Sequence, residues 1–252
     1  MLLGVVACGS ESNEAMDFAM LQVERVVSIT NEENAPQCSV SLKMDTATWQ
    51  QGGQARAVNA AIARELLFID DSTSMKLAAD SFASHYTASY RHDMAPFYRE
   101  DRGDAEKRPW YEYHYDIEAH AKAGRNGTTV YEASIDYYEG GAHGISQLIV
   151  LNFDNLTGRQ LTLADVLVPG YQQPLNELLL QKLMQLKGTD TIDQLREQGF
   201  LYSMDMFAPE NFVLRHDGGI TFVYNPYEIA PYSEGLIKLE LDSDELQKLW
   251  KY

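Results

Sequence analysis

At 252 residues the chain is long enough to bury a full hydrophobic core, as one large domain or two small halves, without help from disulfides. Its composition, 45% hydrophobic, 11% aromatic and 23% charged, is that of a globular protein and argues against disorder outside the termini. The 37 acidic against 20 basic side chains give a formal net charge of -17, which repels phosphate backbones and so argues against nucleic acid, while a basic protein, a cation or a glycan is tolerated.

The amino terminus reads as an address. Leu2-Leu3-Gly4-Val5-Val6-Ala7-Cys8 ends in an apolar run, a small residue and a cysteine, and resembles a bacterial lipobox. That implies cleavage before Cys8 and a diacylglycerol on its sulfur. Only Met1 precedes the apolar stretch, so residues 1–17 are expected to be the end of a lipoprotein signal followed by a polar tether. No other segment approaches the roughly 18 apolar residues that span a bilayer, so membrane attachment is expected through the lipid alone. Cys38 then has no partner and reads as a small buried apolar residue.

Apolar and polar residues alternate over Gln22–Ile29 and Ser39–Thr48, which predicts two half-buried strands. Gln54–Asp70 places Val58, Ala61, Ile62, Leu66 and Ile69 at helical spacing after Gly52-Gly53. Ser72 or Ser74 is expected to cap a second helix ending near Arg91, with 93–109 a charged loop bounded by prolines. Tyr111, Tyr113, Tyr115, Ile117, Ala119 and Ala121 alternating with Glu112, His114, Asp116, Glu118 and His120 form the clearest strand. Gly124-Arg125-Asn126-Gly127 predicts a turn into a partner strand, Thr128–Tyr138.

Beyond it, Ile145–Phe153 predicts a further strand and Leu161–Leu167 a helical entry. Leu175–Leu186 is a strongly apolar helix that Asp193–Gln198 extends. A strand, the turn Asp217-Gly218-Gly219, a strand through Phe222 and Tyr224, an aromatic loop, a strand Leu236–Leu241 and a terminal helix capped at Ser243 complete the chain. Strands cluster near hairpins and helices come in blocks. The expected class is therefore α+β, with antiparallel sheets, helices packed on one face and two intimately associated halves, and not a doubly wound sheet.

Three motifs stand in order: Tyr138-Glu139-Gly140-Gly141-Ala142-His143-Gly144, then Asn152-Phe153-Asp154 with Thr157-Gly158, then Asn225-Pro226-Tyr227-Glu228-Ile229-Ala230-Pro231-Tyr232 with Gly235. Together they resemble the signature of RsiV-like extracytoplasmic domains, here over 139–252. Residues 18–138 are similar to the PdaC-like region that commonly precedes such domains. The resemblance implies a cell-envelope lipoprotein, periplasmic or surface-facing, whose ectodomain binds or senses a protein such as a lysozyme-like muramidase, or an envelope glycan.

Within these motifs the candidate ligand-binding residues are Gly140, Gly141, His143, Tyr227, Glu228 and Tyr232. Glycines around an imidazole let backbone approach a ligand, and tyrosines on a proline-stiffened loop offer apolar area with a polar tip. Each also has a structural reading: a tight strand connection for the first loop, a lock on the terminal strand for the second. The alternative is an envelope hydrolase of peptidoglycan or polysaccharide in which His143 works with Asp136, Glu139, Asp154 or His114. A purely structural role is the third reading. No GxSxG, HExxH, Walker or GxGxxG pattern is present, so the chain leans away from catalysis, and no cofactor is expected. His114 and His120 lie six residues apart on one strand, about 20 Å, too far to share an ion, so no metal site is expected.

Overall fold

The computed structural model describes residues 16–48, 53–70 and 74–251. Cys8, Gly52 and Ser72 lie outside them. Strands β1 (Phe18–Ser28) and β2 (Gln37–Ala47) form an antiparallel ribbon, followed by helices α1 (Gln54–Leu67) and α2 (Met75–Asp101) and the hairpin β3 (Tyr113–Ala123) and β4 (Thr128–Tyr138). Then come β5 (Ile145–Asp154), the two-residue β6 (Gln160–Leu161), the short α3 (Leu163–Val166), α4 (Gln172–Lys187) and α5 (Ile192–Glu197). Strands β7 (Phe212–Leu214), β8 (Ile220–Tyr224) and β9 (Ile237–Leu241) and the short α6 (Ser243–Leu246) close the chain.

Strands β1 to β6 lie in chain order in one six-stranded sheet, and β7 to β9 make a separate three-stranded sheet. Every pairing is antiparallel except β2 with β3, where the two intervening helices carry the chain back across one face. The α+β class is therefore as expected. The alternation in β2, β3 and β4 aims Leu42, Met44, Ile117, Tyr131 and Ala133 at that face, where they meet Val58, Ile62, Leu66 and Ala79 of the helices. A second core lies under α4, whose Leu175, Leu179 and Leu183 pack on Phe212, Phe222 and Leu239.

Helix α2 runs ten residues past the expected stop at Arg91 and takes in Pro96, so 93–101 is helix and not loop. Ser74 caps it, accepting from Leu77 N. Pro96 cannot donate to the carbonyl four residues before it, a cost of about 3 kcal/mol in an ordinary helix. Burial offsets that cost: Ala95 and Tyr98 join Tyr90, Cys38, Ile29 and Tyr111 in a third cluster. Tyr90 donates to the Tyr111 carbonyl at 2.7 Å, and Asp101 accepts from both Tyr111 and Lys107. Cys38 is fully buried there, and burial, with Glu139 adding to it, pushes its thiol up to about 12.

Two smaller expectations also change. Gly188 adopts a left-handed conformation that ends α4, and α5 starts afresh from a Thr191 cap, so 193–198 does not extend α4. The terminal helix is capped by Asp242, reciprocally with Glu245, and not by Ser243.

The two sheets meet through asparagine side chains. Val130 and Val150, on the face of the six-stranded sheet away from α1 and α2, pack on Val223 with Leu148 and Val213. Beside this apolar contact Asn152 Nδ2 donates to the Phe212 carbonyl and its Oδ1 accepts from Leu214 N. Asn225 Oδ1 accepts from Leu148 N, and Asn211 Oδ1 accepts from Val150 N. The amides stand in for a missing strand along part of the β5 edge.

Candidate functional site

The three-stranded sheet covers only one end of the polar face of the larger sheet. What it leaves open is the floor of a cleft of about 940 Å³. Strand register sets the floor in transverse rows. Ser41, Asp116, Asp136 and Ser146 are successive cross-strand partners, and Lys43, Glu118, Ser134 and Leu148 form the next row. Pro226, Tyr232, Leu236 and Lys238 from the carboxy-terminal part line the facing side.

Within the floor, Asp136 is held twice: Ser146 Oγ donates to Oδ2, and His114 Nε2 lies 2.9 Å from Oδ1. The Ser146 hydroxyl, with His114 adding to it, keeps its carboxyl below the usual carboxylate range against an opposing desolvation. Asp116, directly opposite on β3, goes the other way: burial pushes it up, Asp136 adds to that, and His114 and Lys43 only partly oppose.

At the end of the cleft the two loops singled out in the sequence come together. The His143 ring stacks on Tyr232 with centroids 4.1 Å apart and planes 19° from parallel. One carbonyl ties the loops, since Gly144 O accepts from both Tyr232 OH at 2.7 Å and His143 Nδ1 at 2.8 Å. With its proton on Nδ1, His143 presents Nε2 as an acceptor, and Tyr227 OH stands 3.5 Å away. Tyr227 is 61% exposed and tilted beside Tyr232 at 5.5 Å. Gly140, at φ +83, is a glycine for a local reason: a Cβ there would sit 2.8 Å from the Trp110 carbonyl. Gly141 is exposed, and its carbonyl accepts from Tyr138 OH.

Glu228 turns inward, away from any ligand. Its Oε2 accepts from Asn225 N while Glu228 N donates to Asn225 O, closing the turn that aims Tyr227 outward. Burial pushes its carboxyl above the usual 4.5, only partly opposed by the Asn225 N–H. A carboxyl raised by folding favours the protonated form, so its contribution to stability falls as pH rises from the unfolded value through the folded one. Glu228→Gln keeps an acceptor for Asn225 N without the buried charge. Its melting temperature is expected to equal or exceed the parent's at pH 7, with the difference gone below pH 4.5. A variant several degrees less stable at pH 7 would show that the charge itself is needed.

The proposed partners of His143 are elsewhere. Asp136 is bound to His114 and Ser146, Glu139 accepts from Tyr86 OH, and Asp154 from Thr157. Among the described residues no carboxylate reaches His143, and no group of three or more His, Cys, Asp or Glu is arranged to hold a metal ion. The floor residues Ser41, Asp116 and Ser146 were missed as site residues. Their alternation marked a polar face, but an exposed strand face and a cleft floor have the same sequence.

The fold is thus a two-sheet α+β protein with a ligand-sized cleft between its sheets. Residues 164–244 match the sequence profile of a family described as protein of unknown function (DUF3298). It is similar to a DUF3298-family protein from Bacteroides fragilis NCTC 9343 of known crystal structure, at 27% identity over 95% of each chain with a TM-score of 0.84. It also shares its fold with a DUF3298-family protein from Pseudomonas aeruginosa PAO1, at 19% identity, a TM-score of 0.63 and 95% and 96% of the two chains. No curated protein matches the sequence.

Proposed function

We propose that the chain is a lipid-anchored envelope protein of the RsiV-like kind, with a PdaC-like first half, and that it acts as a binding module for a glycan. The observation that carries the reading is the stacking of His143 on Tyr232, the aromatic residue that lines a cleft floored by hydroxyls and carboxylates. Flat apolar faces beside fixed hydrogen-bonding groups suit a sugar ring, and about 940 Å³ accommodates a short oligosaccharide. The lipobox supports the location. A basic, lysozyme-like protein is the second reading, favoured by the net charge of -17.

The test is calorimetric titration of the chain with a chitin tetrasaccharide and, separately, with hen lysozyme at low and physiological salt. Saturable tetrasaccharide binding is expected, weakened about tenfold by Tyr232→Ala and less by His143→Ala, the loss typical of one aromatic contact. Tetrasaccharide silence with salt-resistant lysozyme binding would move the function to the second reading.

A further inference from the structure

Some of the charged groups that line the cleft make no hydrogen bond or ion pair among the described residues. Of nine lysines, five make ion pairs and Lys251 donates to the Ala164 carbonyl. That leaves Lys43, Lys238 and Lys248 with no hydrogen bond or ion pair among the described residues. In a chain with 37 acids, two of these three line the same cleft, Lys43 on the floor and Lys238 on the facing strand β9.

Asp116 lies in the same cleft. It is half-buried yet makes no hydrogen bond or ion pair among the described residues, whereas its neighbour Asp136 is held by two partners. A carboxylate drawn out of water costs free energy unless a donor compensates it. Lys43 stands one row from Asp116 on the neighbouring strand and opposes its upward shift without closing to an ion pair, and Lys238 is held on the other sheet. The cleft therefore holds in one space an acid and two ammoniums that make no hydrogen bond or ion pair among the described residues, together with the uncommitted hydroxyls of Ser41 and Ser134.

Resting on the glycan reading above, we infer that the ligand carries a zwitterionic group over the floor, its ammonium set against Asp116 and its carboxylate against Lys43 and Lys238. A sugar chain bearing an amino acid or short peptide has that chemistry. A purely cationic ligand would leave the lysines opposed, and a purely anionic one would meet Asp116, Glu118 and Asp136.

The experiment titrates the full 252-residue chain with three probes: a chitin tetrasaccharide, a disaccharide carrying a tetrapeptide with a free side-chain ammonium, and that tetrapeptide alone. The glycopeptide is expected to bind at least about tenfold tighter than the neutral tetrasaccharide. Asp116→Asn and Lys238→Gln, each checked for an unchanged melting temperature, should each reduce that ratio several-fold. Lys248→Gln, outside the cleft, should leave it intact. Equal affinity for the two sugars, or a preference that survives both cleft variants, overturns the inference and leaves the glycan reading standing. Binding of the tetrapeptide with the tetrasaccharide silent supports the zwitterion site and overturns the glycan reading; silence of all three probes overturns both.

Discussion

Asn152→Ala is expected to destabilise the protein by about 3 kcal/mol. Asn152 is 1% exposed and its amide satisfies two backbone groups of β7, the Phe212 carbonyl and Leu214 N. Removing it leaves both without a partner beside the Val130, Val150 and Val223 contact, and each buried unpaired group costs about 1–3 kcal/mol. For a chain of this length that is a fall in melting temperature of roughly 6–12 °C. Asn152→Asp separates the two bonds, since a carboxylate still accepts from Leu214 N but cannot donate to Phe212 O. Urea unfolding of both variants checks the expectation. A loss below about 1 kcal/mol for the alanine variant would mean that water replaces the amide and that apolar contact alone joins the sheets.

The second large effect is expected at Gly158, in the turn after β5. A Cβ there would lie 2.4 Å from the Gln54 carbonyl oxygen and 2.8 Å from Gln54 Cα, at the first residue of α1. The position is also left-handed, at φ +69. Backbone strain of about 1–2 kcal/mol and overpacking of about 1–3 kcal/mol predict that Gly158→Ala costs about 3 kcal/mol. Gly170→Ala is the control: its φ is +83, but nothing lies within 4 Å of the added carbon, so only the strain is paid. Thermal unfolding of the two variants isolates the close approach of turn and helix. Equal losses would show that the contact contributes nothing.

Both effects concern how distant segments meet, and that is where the sequence was least legible. The β3–β4 hairpin could be read to within two residues, Tyr111 falling in a 3-10 turn before β3, because alternation and a Gly/Asn turn are local signals. The far end of α2 could not. Pro96 is a local stop signal, overruled by burial of Ala95 and Tyr98 against Ile29 and Cys38, some sixty residues earlier. Asn152 and Asn225 were visible as motif residues, but their work, joining the two sheets, depends on partners 60 to 77 positions away.

The candidate site divides the same way. His143, Tyr227 and Tyr232 were recognisable from residue type, and the structure brings them together. Gly140 and Glu228, named beside them, instead shape the backbone that presents them. Sequence by itself determined the α+β class, the cores, and the polar face on which the cleft lies, because periodicity dictates which side of a strand is apolar. Only the tertiary structure decided that part of this face is covered by a second sheet and part left open. It also decided which charges across the opening have no partner, because which surfaces meet depends on packing between segments far apart in the chain.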